Sequence, residues 1–254
     1  MYANYHTHTH LCGHAVGVPE EYVVSAIRKG LKILGFSDHS PMIFSKEHYS
    51  SFRMSPAEAE TYVNELLRLR EKYKDDIQIL IGYEMEYYPR EFQKTVDFIK
   101  QFPCDYLILG QHYINNEYDG IWSYAGGDEA AFHQYVNQVI EGIETGCFSY
   151  IAHPDLFRYT DDIDLYKNEM RRLCERAKEL SIPLEFNMLG FIGKRSYPYD
   201  PFWDVVAEVG NDVIVGSDAH HPEHVFCPDF YEAATEKLLG LGITPIKELK
   251  LKRI

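Results

Sequence analysis

The chain has 254 residues, 25 Lys plus Arg against 39 Asp plus Glu, a formal net charge of −14 and 45% hydrophobic residues. That hydrophobic share is ample for a packed core. The acid excess argues against a nucleic-acid partner, which needs a basic face, but leaves an anionic substrate open, because bound metal ions add charge the count omits. No apolar stretch is long enough for a membrane span, and Met1 to Tyr5 carry no basic signal-peptide start. The five cysteines, Cys12, Cys104, Cys147, Cys174 and Cys227, form no CxxC pair and read as the reduced thiols of a cytoplasmic protein.

In chain order, short strands alternate with amphipathic helices. Tyr2–His6 reads as a first strand and Pro19–Lys29 as a helix opened by proline. Ile33–Ser37 is an apolar strand ending in Asp38-His39. Ser55–Lys74 is a helix, with Ser55 as N-cap, Pro56 at its first position and Glu58 placed for a capping box. A strand at Ile77–Glu86, a helix at Glu91–Gln101 and a strand at Tyr106–His112 follow. Asp128–Glu144 is a helix closed by Gly146, and Tyr150–His153 the next strand. Asp164–Glu179 is a helix, Leu184–Asn187 a strand, and a short helix lies near Phe202–Val209. Val213–Ser217 is the last strand, with a final helix near Phe230–Leu239. Such alternation predicts a parallel sheet, closed or open. The first strand is not followed by GxGxxG, which weakens the open nucleotide-binding form.

Each strand stops on a side chain able to bind metal or move a proton. The first ends in His6-Thr7-His8 and the second in Asp38-His39. The third carries Glu84 and Glu86, the fourth ends in Gln111-His112 and the fifth in His153-Pro154-Asp155. The sixth carries Glu185 and Asn187, and the seventh ends in Asp218-Ala219-His220. In βα barrels that end is the catalytic mouth. Residues i and i+2 of a strand share a face, so His6 with His8, Glu84 with Glu86 and Asp218 with His220 form pairs. Imidazole and carboxylate donors suit zinc, manganese or iron. Taken singly, each also fits a bland role: Asp155 as a helix N-cap, Glu86 and Glu185 as buried partners of a Lys or Arg, Cys12 as a small buried residue.

The motifs His6-Thr7-His8, His14, Ser37-Asp38-His39, Gly82-Tyr83-Glu84, Gly110-Gln111-His112, Ala152-His153-Pro154-Asp155 and Gly216-Ser217-Asp218-Ala219-His220 run across nearly the whole chain. In this order they resemble the PHP (polymerase and histidinol phosphatase) family. Leu11-Cys12-Gly13-His14, Ser51-Phe52-Arg53-Met54-Ser55 and Glu185-Phe186-Asn187 are most similar to its histidinol-phosphate phosphatases. The resemblance implies a single-domain α/β fold, a distorted (β/α)7 TIM-like barrel spanning residues 1–254, and three divalent metal ions. Carried over, one ion takes His6, His8, Glu84 and Asp218. A second shares Glu84 and adds His112 and His153. The third takes His14, His39 and His220. His10 extends the first motif, so His8 with His10 is an alternative pair; the spacing to His14 favours His6 with His8 and makes His10 a pocket-wall residue.

The reaction implied is hydrolysis of a small phosphate monoester by a metal-bridging hydroxide, with Glu84, Asp218 and His220 central to catalysis. L-histidinol phosphate, in histidine biosynthesis, is the expected substrate. Asp38 and Asp155 are placed to orient ligating histidines, and His221, His10 or a metal-bound water could protonate the leaving group. Arg158 and Arg195, in loops that should overhang the mouth, are candidate clamps for the phosphate, with Arg53 a third. The alternatives are another PHP phosphoesterase acting on a nucleotide or phosphotyrosine, an amidohydrolase, or a silent metal-binding scaffold. No lysine accompanies His112 for the carbamate of an amidohydrolase, and the complete ligand set speaks against a scaffold. The sequence carries no signal of oligomeric state.

Overall fold

Two-residue periodicity places the strands, and a change of polarity along them places the site. The structure, a computed structural model, describes residues 1–254. Its elements in chain order begin with β1 (Ala3–Asn4), α1 (Pro19–Arg28), β2 (Ile33–His39), α2 (Ala59–Lys72), β3 (Gln78–Met85), α3 (Phe92–Ile99) and β4 (Tyr106–Leu109). A hairpin, β5 (Tyr113–Ile114) and β6 (Ile121–Trp122), comes next, then α4 (Glu129–Glu144), β7 (Phe148–Ile151) and α5 (Ile163–Glu179). The chain continues with β8 (Leu184–Asn187), α6 (Met188–Ile192), α7 (Asp200–Val209), β9 (Val213–Gly216) and α8 (Pro228–Gly240). Seven strands form one parallel sheet in the order β1-β2-β3-β4-β7-β8-β9. A parallel bridge between Thr7 and Ala219, with His8 N–H donating to Ala219 O at 2.9 Å and Ala219 N–H to His6 O at 3.1 Å, joins the first strand to the last. The result is the expected, nearly closed α/β barrel of seven parallel strands.

Alternate strand residues separate into two cores. Leu34, Phe36, Ile79, Ile81, Leu107 and Val215 face the helices and belong to one large cluster. Tyr5, Ile33, Leu80, Tyr106, Ile108, Tyr150 and Ile214 fill the barrel interior, with Leu249 of the final segment packed among them. Ile246 N–H donates to Val213 O, and Leu249 N–H to the Tyr5 hydroxyl, so this segment is tied against the barrel. The Tyr106 ring occupies the space a Cβ would need at both Gly35 and Gly82, which accounts for glycine on those inward-facing strand positions.

The helices start where their caps dictate. The Ser55–Glu58 box is formed, with Ser55 N–H donating to Glu58 Oε2 at 2.8 Å, but the first turn is 3-10 and α2 proper begins at Ala59. Asp128 caps α4 through Ala131 N–H at 2.9 Å. Elsewhere the elements depart from expectation in ways that matter for function. β7 begins at Phe148 and ends at Ile151 because the backbone turns sharply at His153, where φ is 31°. The β5–β6 hairpin and α6 were not anticipated; Asn187 nucleates α6 by accepting from Gly190 N–H at 2.9 Å. No helix is long and apolar enough to cross a membrane.

The Tyr106 hydroxyl donates to Tyr5 O at 2.7 Å and lies 3.2 Å from Phe36 O in the barrel interior. Tyr106→Phe should therefore cost roughly 1–3 kcal/mol in a urea unfolding curve of chelator-treated protein. An unchanged unfolding midpoint would show that the interior tolerates the loss of that hydroxyl.

Candidate metal centre

The inward positions of the barrel turn from apolar to ionisable at the carboxyl ends of the strands. Below lie Ile33, Leu80, Ile108 and Ile214; above lie His39, Glu84, His153 and Asp218, all buried. His6 and His8, two apart, bring their Nε2 atoms to 3.2 Å. His10 is exposed and borders a different cavity, so it is not part of this pair. Glu84 is the centre of the cluster. Its Oε1 lies 2.7 Å from His153 Nε2 and 3.5 Å from His112 Nε2, and its Oε2 lies 3.1 Å from His39 Nδ1 and 3.5 Å from His8 Nε2. Asp218 Oδ1 lies 3.3 Å from His8 Nε2 and 3.5 Å from His6 Nε2. His14 and His220 face each other with Nε2 atoms 2.9 Å apart.

Metal ions fit this donor set. Glu84 Oε2 and Asp218 Oδ1 are buried without a hydrogen-bond partner, a costly condition for a carboxylate unless a cation completes it. Imidazole Nε2 atoms face each other in two pairs. His6, His8 and Glu84, then His6, His153 and Asp218, then His8, His39 and His220, each bring donor atoms within 4.8 Å of one another. Cys12 lies near His14 and His220, but burial pushes its thiol up to about 12. A neutral thiol is a poor ligand beside imidazoles.

Taken without an ion, the cluster sorts its protons unevenly. Burial would raise the Glu84 and Asp218 carboxyls, but the surrounding imidazoles hold both well below the usual carboxylate range. Burial works against an imidazolium at His8, yet Asp218, Asp38 and Glu84 lift it to about 9; Glu185, Asp218 and Glu84 likewise raise His6. Burial and the His8 charge push His220 down to about 3 and also lower His14 and His39.

Outer carboxylates set the histidine orientations. Glu185 Oε1 sits 2.8 Å from His6 Nδ1, and its Oε2 accepts from His153 N–H at 3.0 Å and Asn187 Nδ2 at 2.9 Å. Glu86 Oε1 sits 2.9 Å from His112 Nδ1. Each carboxylate favours a proton on Nδ1 and leaves Nε2 for the cluster. Asp38 Oδ1 is 3.5 Å from His8 Nδ1. A Cβ on Gly110 would strike the Glu84 carboxylate, and one on Gly216 the Glu185 carboxylate, so both motif glycines clear space for acids on neighbouring strands. His153 and Asp218 adopt positive φ, 31° and 49°, a conformation that costs a non-glycine residue about 1–3 kcal/mol and here turns both side chains into the cluster.

A cavity of about 710 Å³ opens above these residues, bordered by Phe52, Tyr113, Trp122, Tyr124, Leu156, Leu189, Tyr197 and Arg195. Arg195 is exposed, with Nη1 donating to the Tyr197 hydroxyl at 3.3 Å. Of the three arginines singled out above, it alone borders this cavity. Arg158 borders an adjoining cavity of about 690 Å³, shared with Lys194 and Arg195. The reason is Asp155, which orients no histidine: its Oδ2 accepts from Tyr199 N–H at 2.7 Å and Trp203 Nε1 at 3.1 Å, tying the loop to α7 and carrying Arg158 to the far side. Burial raises the Asp155 carboxyl to about 6, against the pull of those bonds. Arg53 is buried and committed to Glu86 and Glu117, away from this cavity. His221 is exposed and caps the Pro222–Val225 turn, and neither it nor His10 borders the cavity, so neither is positioned as proton donor. The aromatic wall was missed in the sequence, although Tyr113-Ile114 and Ile121-Trp122 flank the turn residues Asn115, Asn116, Asp119 and Gly120, a legible hairpin signal.

The PHP domain model matches residues 4–188. The "Probable histidinol-phosphatase" of Deinococcus radiodurans is 28% identical over 229 residues, covering 87% of this chain and 86% of that protein. The histidinol-phosphatase of Bacillus subtilis is 25% identical, covering 91% of this chain and 97% of its own length. Among solved structures, the histidinol phosphate phosphatase of Lactococcus lactis, complexed with zinc, L-histidinol and phosphate, superposes with a TM-score of 0.74 over 98% of both chains at 20% identity. That last likeness is one of fold. With the strand-end ligand motifs in order and the family model covering most of the barrel, the chain belongs to the PHP domain family.

Proposed function

We propose that residues 1–254 act as one barrel that hydrolyses L-histidinol phosphate to L-histidinol and phosphate with three divalent ions (zinc, manganese or iron), as a cytoplasmic step of histidine biosynthesis. The observation that carries this reading is the convergence of buried, partnerless carboxylate oxygens and facing imidazoles on the floor of an aromatic-walled cavity. His6, His8, Glu84 and Asp218 would hold one ion, Glu84 with His112 and His153 a second, and His14, His39 and His220 the third. Such ions supply Lewis acidity and an activated water. The similar histidinol phosphatases of Deinococcus radiodurans, Bacillus subtilis and Lactococcus lactis support the same reading.

The chain's own residues do the rest. Glu185 and Glu86 keep the Nε2 faces of His6 and His112 toward the cluster. Arg195 at the rim offers a forked guanidinium to phosphate oxygens. Phe52, Tyr113, Trp122 and Tyr197 line the cavity with aromatic surface against which a flat imidazole can pack, charged or neutral. The same wall also suits phosphotyrosine, the alternative reading, so a kinetic panel of L-histidinol phosphate, phosphotyrosine and nucleoside monophosphates with added manganese decides between them. The highest kcat/KM on either alternative would overturn the histidinol assignment.

Elemental analysis should find about three divalent ions per chain. Loading them expels the protons that His8 holds up to about 9 and that His6 also retains. Apparent affinity should therefore rise with pH across the neutral range, by up to about tenfold per unit for each proton displaced. A flat profile between pH 6 and 8.5 would contradict imidazole ligation.

Gly110→Ala pushes the Glu84 carboxylate off centre, and should weaken ion binding or turnover roughly 10–100-fold while the far-ultraviolet spectrum stays native. Wild-type turnover in that variant would remove Glu84 from the centre. Arg195→Ala should lower kcat/KM by about one to two decades, the scale of a lost charge-assisted contact of roughly 1.5–3 kcal/mol, with ion content unchanged. Trp122→Ala should raise KM for histidinol phosphate more than for small esters such as p-nitrophenyl phosphate that lack its imidazole and amine. Unaltered constants in both variants would place the substrate elsewhere.

A further inference from the structure

Arg53 is the one lysine or arginine that this chain buries, and the mechanism above does not use it. It is 6% exposed, on the segment between β2 and α2. Its Nη2 donates to Glu86 Oε1 and to Glu117 Oε2, each at 2.8 Å, its Nε to Glu117 Oε2 at 3.0 Å, and its Nη1 to Ser40 O at 3.0 Å. The Glu86 oxygen that it binds is the one 2.9 Å from His112 Nδ1. Glu117 lies in the turn of the β5–β6 hairpin, and its Oε1 meets His48 Nε2 at 2.8 Å. A continuous line of polar contacts thus runs His48, Glu117, Arg53, Glu86, His112. Arg53 Cζ also lies 4.5 Å from the ring centre of Phe52, which stacks on Tyr113 at 6.0 Å and meets His112 edge-on at 6.0 Å.

The two orienting carboxylates of the centre are held by different means. Glu185 is surrounded by neutral donors, Asn187, Tyr150 and the His153 amide. Glu86 has no such set; its Oε2 is buried without a partner, and Arg53 is its one cation besides the histidine it orients. Without Arg53, Glu86 and Glu117 would be two buried carboxylates with no guanidinium between them, a condition that forces rearrangement. Glu86 would then leave His112, and the hairpin that carries Tyr113 and Trp122 would lose its clasp to the segment bearing Phe52.

We propose that Arg53 is a positioning residue that ties one metal ligand to the cavity wall: it fixes Glu86 on His112 and, through Glu117, holds the β5–β6 hairpin over the site. This rests on the metal-centre reading above. Lysine at this position keeps the charge but not the fork that reaches Glu86, Glu117 and Ser40 together.

The test compares wild type, Arg53→Met, Arg53→Lys and Glu117→Gln, each stripped with chelator and titrated with manganese by equilibrium dialysis. Wild type should hold about three ions. Arg53→Met should bind its weakest ion roughly 10–100-fold less tightly, Arg53→Lys should recover part of that loss, and Glu117→Gln should fall between Lys and wild type. Turnover of p-nitrophenyl phosphate by Arg53→Met should climb toward wild type at high manganese, a rescue that general unfolding would not show, while KM for histidinol phosphate stays raised through the displaced wall. If wild type itself takes up no ion, the metal reading and this inference fall together. If wild type loads but every folded variant matches its affinities, the inference alone is overturned. Should Arg53→Met not fold, an unchanged ion affinity in both Arg53→Lys and Glu117→Gln is the overturning result.

Discussion

Glu84 and Asp218 are carboxylates buried among imidazoles, and this burial governs the top of the barrel. A carboxylate taken out of water is costly unless positive charge or strong donors replace the solvent. Here the replacements come from every side of the ring: His6 and His8 beyond β1, His39 at the end of β2, His112 and His153 beyond β4 and β7, and His220 beyond β9. The glycines at 110 and 216, the left-handed turns at His153 and Asp218 and the outer carboxylates Glu86 and Glu185 all follow from packing charge so tightly. Even so, oxygens of both central acids remain without partners, a position that a bound cation would complete.

Much of this was legible because barrel topology leaves so little freedom. Parallel strands must cover both faces with apolar side chains, so an ionisable residue at a strand end stands out. The strand ends at His6, His39, Glu84, His153 and Asp218 could be read without knowing a single contact. What could not be read was loop direction. Arg158 lies a few residues beyond His153, close enough in sequence to overhang the mouth, yet Asp155 anchors that loop to Tyr199 and Trp203 and takes the arginine to the next cavity. Asp155 also shows why a short acid after a ligand is ambiguous: the same residue type orients a ring or captures a distant backbone amide, and only tertiary structure distinguishes them.

The i, i+2 pairs had mixed outcomes for a related reason. His6 and His8 do share a face, with facing Nε2 atoms. Glu84 and Glu86 both point inward but divide the labour, one at the centre and one behind His112. Asp218 and His220 also meet, although β9 ends at Gly216 and the positive φ at Asp218 interrupts the extended alternation between them. His220 turns its Nε2 to His14, while its Nδ1 lies 3.0 Å from the Asp218 backbone oxygen and 3.3 Å from Asp218 Oδ1. The hairpin that walls the cavity has strands of two residues each, too short for periodicity to register, so only the turn residues between them mark it in the sequence.

The seam between Thr7 and Ala219 has a consequence for how the protein comes into being. His6 and His8 lie on one side of that seam, Asp218 and His220 on the other, so a chain still being synthesised carries only part of each ligand group they complete. The early histidines and Glu84 are made well before Asp218, the second carboxylate that faces them. Ion capture in its final geometry is therefore tied to ring closure. A barrel that stopped short of residue 218 would present its early histidines without the ring that orders them.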